Sequence, residues 1–313
     1  MNKQAQLSRV KKSVLVVPFV IASLIGWGNS PVLAQDPFRD ENPREIGSYT
    51  EQAFKTVFFK GDYQAVVSEL ELAELEEPNE PLAHAMRASL AYTNTDWENI
   101  RKYALKTLES AQKLSYQDPI RGNLYLAVGH FLDGAYIYEK QGAIEAIKKL
   151  QLVFKYLDLA EDIDPNDPEL NLIKGYMDLF LAVNLPFSSP EQAIARFETY
   201  AAPNYLVERG LAVAYRDLKQ YDKALKYADK ALGTAPDNPE HYYLKGQILR
   251  KIGQEKQDID ILKDALENFE EAMAKSEQLP EFIIKSLSKE TEKTKAKIEE
   301  IESGTAASNA TLK

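Results

Sequence analysis

The chain has 313 residues, 44% of them hydrophobic, and a formal net charge of −10, enough material for one large core or an extended repeat array. An excess of acid argues against nucleic acid as a partner, because phosphates need compensating Lys and Arg. With no cysteine, disulfides, thiolate nucleophiles, Cys-ligated metals and lipid-modified Cys are all excluded.

Residues 1–12 are polar and basic, with Lys3, Arg9, Lys11 and Lys12 and no acid. Ser13 to Gly28 is largely apolar, Asn29-Ser30-Pro31 breaks the helix, and Val32-Leu33-Ala34 places small residues where a signal peptidase needs them. This layout predicts a cleavable signal peptide over 1–34. The apolar run is short for a membrane span, so no stable membrane insertion is expected after cleavage. Removing those four positive charges takes the remaining chain from −10 to −14. Residues 35–46 are Pro-rich and charged and are expected to be a linker.

A self-similar phrase then recurs as Pro78-Asn79-Glu80-Pro81, Pro165-Asn166-Asp167-Pro168 and Pro236-Asp237-Asn238-Pro239. Each follows a small residue, Ala73, Ala160 or Ala231, at the end of an amphipathic stretch. The first Pro ends a helix because it lacks an N–H and restricts its predecessor. Asn and Asp suit the turn, and the second Pro suits the first turn of the next helix. Counting outward from these turns gives about six helix-turn-helix units of about 34 residues.

In chain order the units are 47–80, with Gly61-Asp62-Tyr63 at its inner turn; 81–118, with Asp96-Trp97 there; 119–167, whose first helix runs long; 168–204, with Gly175 at a small position and a Leu185–Pro190 break; 205–238; and 239–280, with Gly246 and an insertion near 254–261. Unit 205–238 is the most regular. Its Leu211, Ala212, Tyr215, Tyr221, Ala224, Ala231 and Pro236 fill the large, small and aromatic positions of a tetratricopeptide repeat, although Glu208 and Ala228 replace two usual aromatics. Residues 281–302 read as a capping helix, with Phe282, Ile283 and Leu287 on the last repeat and the Lys/Glu-rich remainder in water. The tail 303–313 is small and polar and is expected to be disordered. With no alternating strand run, the fold class predicted over 47–280 is all-α, a tetratricopeptide-repeat solenoid.

The stretch LDLAEDIDPNDPELNLIKGYMDLFLAVNLPFSSPEQAIARFE, followed by YAAPNYLVERGLAVAYRDLKQYDKAL, resembles the exported tetratricopeptide-repeat proteins of cyanobacteria. The resemblance covers 48–280 and is most specific over 157–250. It implies a repeat fold in the periplasm or thylakoid lumen, and no activity.

No H-E-x-x-H, G-x-S-x-G or glycine-rich phosphate loop is present, so the chain is read as a non-enzyme, with no cofactor and no metal. Gly122, Gly129 and Gly134 fall in a helical pattern and read as packing positions. His84, His130 and His241 are far apart and read as structural. Asp162, Asp164, Asp167 and Glu169 form an acidic knot that fails the EF-hand spacing and reads as helix capping. The inner face of such a solenoid is lined by the first helix of each unit. Counting repeat positions puts Tyr176, Arg209, Arg216, Tyr243, Gln247, Arg250 and Lys251 there. Arg and Tyr dominate interface energetics, and Arg grips carboxylates in pairs. The function expected is therefore a protein-interaction scaffold or assembly factor in the cell envelope or lumen, binding extended or helical acidic segments of other proteins. A self-associating structural component and, third, a small-ligand-binding repeat protein are the alternatives.

Overall fold

The computed structural model describes residues 36–184 and 190–311. The signal segment 1–34 and most of the Leu185–Pro190 break lie outside the described residues. Among the described residues the regular structure is helical throughout. The helices pair as hairpins: α1 (Ser48–Phe54), extended by a π-helical turn at Lys55–Phe59, with α2 (Val66–Glu76); α3 (Pro81–Thr93) with α4 (Trp97–Leu114); α5 (Pro119–Gln141) with α6 (Ala143–Ile163); α7 (Pro168–Asn184) with α8 (Glu191–Thr199); α9 (Asn204–Asp217) with α10 (Tyr221–Thr234); and α11 (Pro239–Lys256) with α12 (Ile259–Ala274). A long α13 (Glu281–Thr311) follows. The pairs coincide with the units read from the Pro turns.

Those turns work as the residues dictate, with one addition. Pro81, Pro119 and Pro239 stand in the first turn of their helices, and the residue before each is the N-cap: Glu80 accepts from Leu82 N–H at 3.0 Å, Asp118 from Arg121 N–H at 3.0 Å and Asn238 from Glu240 N–H at 2.9 Å. Asp167 does the same for Leu170 N–H at 2.8 Å. Each carboxylate or amide thus satisfies a donor that a helix start leaves orphaned. In three of these first turns a side chain also reaches back six residues: His84 to the Pro78 carbonyl at 2.9 Å, Asn171 to that of Pro165 at 2.8 Å and His241 to that of Ala235 at 3.3 Å. The two histidines are therefore parts of the turn. Burial, with Arg209 nearby, holds His241 down to about 3, so it is neutral.

Small residues sit where helices close on one another. A Cβ at Gly175 or at Gly210 would come within 2.6 Å of the Phe197 ring, so α7 and α9 clasp one aromatic of α8 between them. Gly246 plays the same part against Phe269, at 2.5 Å. Gly129 faces Leu108 and Gly122 faces Ser115 as closely, which accounts for these glycines of α5 as packing positions.

Three expectations differ from the structure. Residues 36–46 are no free linker: Phe38 and Ile46 are buried in the core, and the segment is laid as a strap on the folded chain. Phe38 meets Phe54 edge-on at 5.8 Å, and that apolar burial is worth about 1.5–3 kcal/mol per side chain, which a charged sequence with two Pro does not advertise. Second, α13 does not leave its charged half in water. Leu287, Thr294 and Ile298 continue a buried stripe at helical spacing, and Glu290 turns inward. Third, α13 runs to Thr311 instead of ending at 302, the alanine-rich composition beyond Gly304 favouring continuation over a stop.

The first hairpin is the least repeat-like. Thr50, Glu51, Ala53, Phe54, Thr56, Val57 and Phe58 are all buried, so α1 and its π turn bury most of their surface and leave only a narrow face with Ser48 and Gln52 exposed. The start of α1 has no side-chain cap of its own. Glu77, at the end of α2, supplies one, accepting from Tyr49 N–H at 2.8 Å and Thr50 N–H at 2.9 Å.

Candidate functional site

The helix N-caps also tie residues 36–63 into the fold. Arg44 reaches three carboxylates, with Nε 2.8 Å from Asp118, Nη2 2.6 Å from Asp167 and Nη1 3.1 Å from Glu169. Arg39 joins it on Asp167. Below them Arg121, itself buried, spans Glu80 at 2.8 Å and Glu169 at 3.1 Å, and the Tyr125 hydroxyl donates to Glu169 at 2.7 Å. Guanidinium forks suit this work because one side chain can serve several carboxylates. Further along, Asn238 donates to the Phe58 carbonyl at 3.0 Å, and Tyr63 N–H donates to the Gln278 carbonyl at 2.9 Å. The strap thus spans the starts of α5 and α7, and the turn after α1 meets the starts of α9 and α11, where Phe59 packs edge-on against Tyr205 at 5.4 Å. Gly61 makes the last contact feasible. Its φ of +71° favours glycine, and a Cβ there would stand 2.4 Å from Asn238 Oδ1.

The predicted inner-face residues fall into two groups against this background. Tyr176 and Arg209 are covered. The Tyr176 hydroxyl donates to the Leu206 carbonyl at 2.8 Å, and burial pushes it up to about 12. Arg209 is paired with Glu240 at 3.2 Å, whose other oxygen accepts from the Tyr63 hydroxyl at 3.1 Å. Arg250 is likewise engaged, by Glu290 of α13 at 2.5 Å. Tyr243 is half-buried against Phe269, with centroids 6.0 Å apart. Arg216, at the C-terminal end of α9, bonds Gln247 in the middle of α11 at 2.8 Å and Asp217 at 2.9 Å, and Lys251 is exposed. The seven residues therefore do not line one open groove. Arg216, Tyr243, Gln247 and Lys251 share the accessible part, while the rest are filled from within the chain.

Sequence reasoning missed the strap's Arg39 and Arg44, and with them Arg121 and Glu290, and it did not bring Tyr63 of the first turn to Glu240. Two arginines in a segment followed by three acidic helix starts are a signal of a kind, but nothing local says which acids they meet. The acidic knot resolves into separate tasks. Asp167 caps α7 and holds both strap arginines, Glu169 sits at the centre of the cluster, and Asp162 is exposed. Around Glu169 stand three guanidiniums and four further carboxylates, those of Asp36, Glu80, Asp118 and Asp167. Burial lifts its carboxyl to about 7 despite Arg121 and Arg44. Burial also raises Asp36, against the N–H groups of Phe38 and Arg44 that bond it.

The most regular stretch, from α9 into α11, is the one that a family model reads. Residues 207–248 match the tetratricopeptide repeat. The match joins the α9–α10 hairpin to the first helix of the next unit, within a chain whose described residues form successive helical hairpins. Among solved structures, the chain is similar to a thermophilic tetratricopeptide-repeat protein of Thermus thermophilus, with 21% identity over 60% of this chain and 91% of that one at a TM-score of 0.43. It is also similar to the APC/C hetero-tetramer Cut9-Hcn1, with 15% identity over 80% of this chain at a TM-score of 0.36, spanning 49% of that chain's length. No curated protein matches.

Proposed function

We propose that the protein is a non-catalytic interaction scaffold or assembly factor of the cell envelope or thylakoid lumen, like the exported repeat proteins it resembles, and that it binds segments of other proteins. The observation that carries the reading is the regular repeat at 207–248, whose helices present Arg216, Tyr243, Gln247 and Lys251 side by side while the rest of the inner face is occupied by the chain itself. Arg and Tyr are the residue types on which interface energy concentrates. A partner segment with acidic side chains suits the Arg216 and Lys251 charges.

Affinity capture from an envelope or lumen extract, with a chain beginning at Gln35 as bait, tests this. The double change Arg216→Glu and Lys251→Glu should cut recovery of the native partner at least about fivefold, the loss expected when an interface residue worth 1 kcal/mol is removed. Undiminished recovery would remove this face from consideration. Arg209 does not suit this test, because it is buried against Glu240 and its loss would read as destabilisation.

Ile144 and Ile147, on one side of α6, are 77% and 55% exposed, and they favour a second reading, self-association through that helix. Light scattering of the purified chain separates the two readings: a monomer across the micromolar range would leave only the first.

A further inference from the structure

We infer that the cavity between the α9–α10 turn and the last two turns of α11 anchors an acidic protein segment through one aromatic side chain and its flanking carboxylates. The inference rests on the reading above, that the protein binds acidic segments, and names where such a segment is gripped. The cavity measures about 420 Å³, and Lys219, Lys223 and Lys256 line it together with Tyr221 and Ile252. Arg216 and Lys251 stand about one turn earlier on α9 and α11, so the cavity adjoins the open face.

Charge complementarity selects the occupant. In a chain of net charge −10, three cations line this cavity against two acids, Asp222 and Glu255, and Glu255 lies beside the Tyr221 hydroxyl. Among the described residues no carboxylate pairs with Lys219, Lys251 or Lys256, all three exposed, while Lys223 lies 4.9 Å from the centre of the Tyr215 ring. The start of α10, in the same wall, has no side-chain cap, so its first-turn N–H groups add to the attraction for an anion. Buried Ile252 and half-buried Tyr221 supply an apolar wall on which a ring can pack with its neighbouring carboxylates turned to the ammonium groups.

Lys219 itself sits at φ +59°. The equivalent inner turns place Gly61, Thr95 and Gln257 in the same left-handed conformation, so the shape belongs to the repeat, and glycine is the residue it favours. A lysine there costs stability relative to glycine and sets an unpaired ammonium at the cavity. Lys219→Gly therefore separates binding from folding.

Fluorescence anisotropy of the fluorescein-labelled peptide DEDFEDE, titrated with the full chain at low salt, measures the grip. Lys219→Glu with Lys256→Glu should raise Kd at least about tenfold, because like charges then face the peptide. Replacing the peptide's Phe by Ser should raise it about fivefold or more, through lost apolar burial. Lys219→Gly should weaken binding about two- to fivefold while the thermal midpoint holds or rises. No saturable binding by the parent chain, or an unchanged Kd in the Lys219/Lys256 variant, would overturn the anchor. Competition by oligothymidylate as strong as by unlabelled peptide would overturn it too, leaving a surface that takes any polyanion. If Arg216→Glu with Lys251→Glu alone weakens the peptide, the open face binds acidic segments without the cavity: the proposed function then stands and this inference falls.

Discussion

Arg121→Ala should lower the stability of the solenoid by about 3–5 kcal/mol, the cost of breaking a buried ion pair from one side. Arg121 is 1% exposed. Its Nε bonds Glu169 at 3.1 Å, its Nη2 bonds Glu80 at 2.8 Å, and its guanidinium lies 5.1 Å from the centre of the Tyr125 ring. Alanine would leave Glu80 without its cation and Glu169 with only the strap's Arg44 to answer it. Urea unfolding at pH 8 reads the loss directly. The cost should shrink toward pH 5.5, since Glu169, at about 7 in the folded protein, can then take a proton instead of standing as an uncompensated charge. Arg121→Lys should fall between, keeping the charge without the fork that serves two carboxylates. A loss under about 1 kcal/mol for the alanine variant, no larger than an exposed ion pair is worth, would show that the cluster contributes little.

The second large effect lies in the apolar joint between units four and five. Phe197 is buried between Gly175 of α7 and Gly210 of α9 and meets Tyr176 edge-on at 5.2 Å. Phe197→Ala should cost about 3–5 kcal/mol, the transfer of the ring plus the cavity that helices pinned on both sides cannot collapse. Gly175→Ala attacks the same joint from the other side: its methyl would meet Phe197 at 2.6 Å, and overpacking of that kind costs about 1–3 kcal/mol. Because stability in a solenoid is carried from neighbour to neighbour, the Phe197→Ala variant should show a split unfolding transition, with the far units 5 and 6 melting apart from the first three. A single transition with an unchanged midpoint would show that the joint is not a weak link.

How much of this was legible beforehand follows from distance along the chain. The Pro-Asn/Asp-Pro phrase carries its own physics within four residues, so the unit boundaries could be read. The small residues at Gly175 and Gly246 could be placed because helical spacing brings them to a partner only one helix away. Tyr176, Arg209 and Arg250 were placed on the inner face by the same counting. What counting could not supply was their occupants, since Tyr63 is 177 residues from Glu240 and Glu290 comes from a helix that composition assigned to water. The strap failed for a related reason: a Pro-rich charged run looks the same whether its arginines meet water or Asp167.

By itself, then, the sequence determined the all-helical class, the six hairpins and where each begins, because those depend on period, capping and proline, which act within one or two helical turns. Only the tertiary structure decided that residues 36–63 lie across the starts of α5, α7, α9 and α11, and so which part of the inner face is left for a partner. That outcome rests on charge and shape complementarity between segments from 74 residues apart (Arg44 and Asp118) to 180 apart (Phe58 and Asn238), whose pairing is set by how the helices pack and by no local pattern.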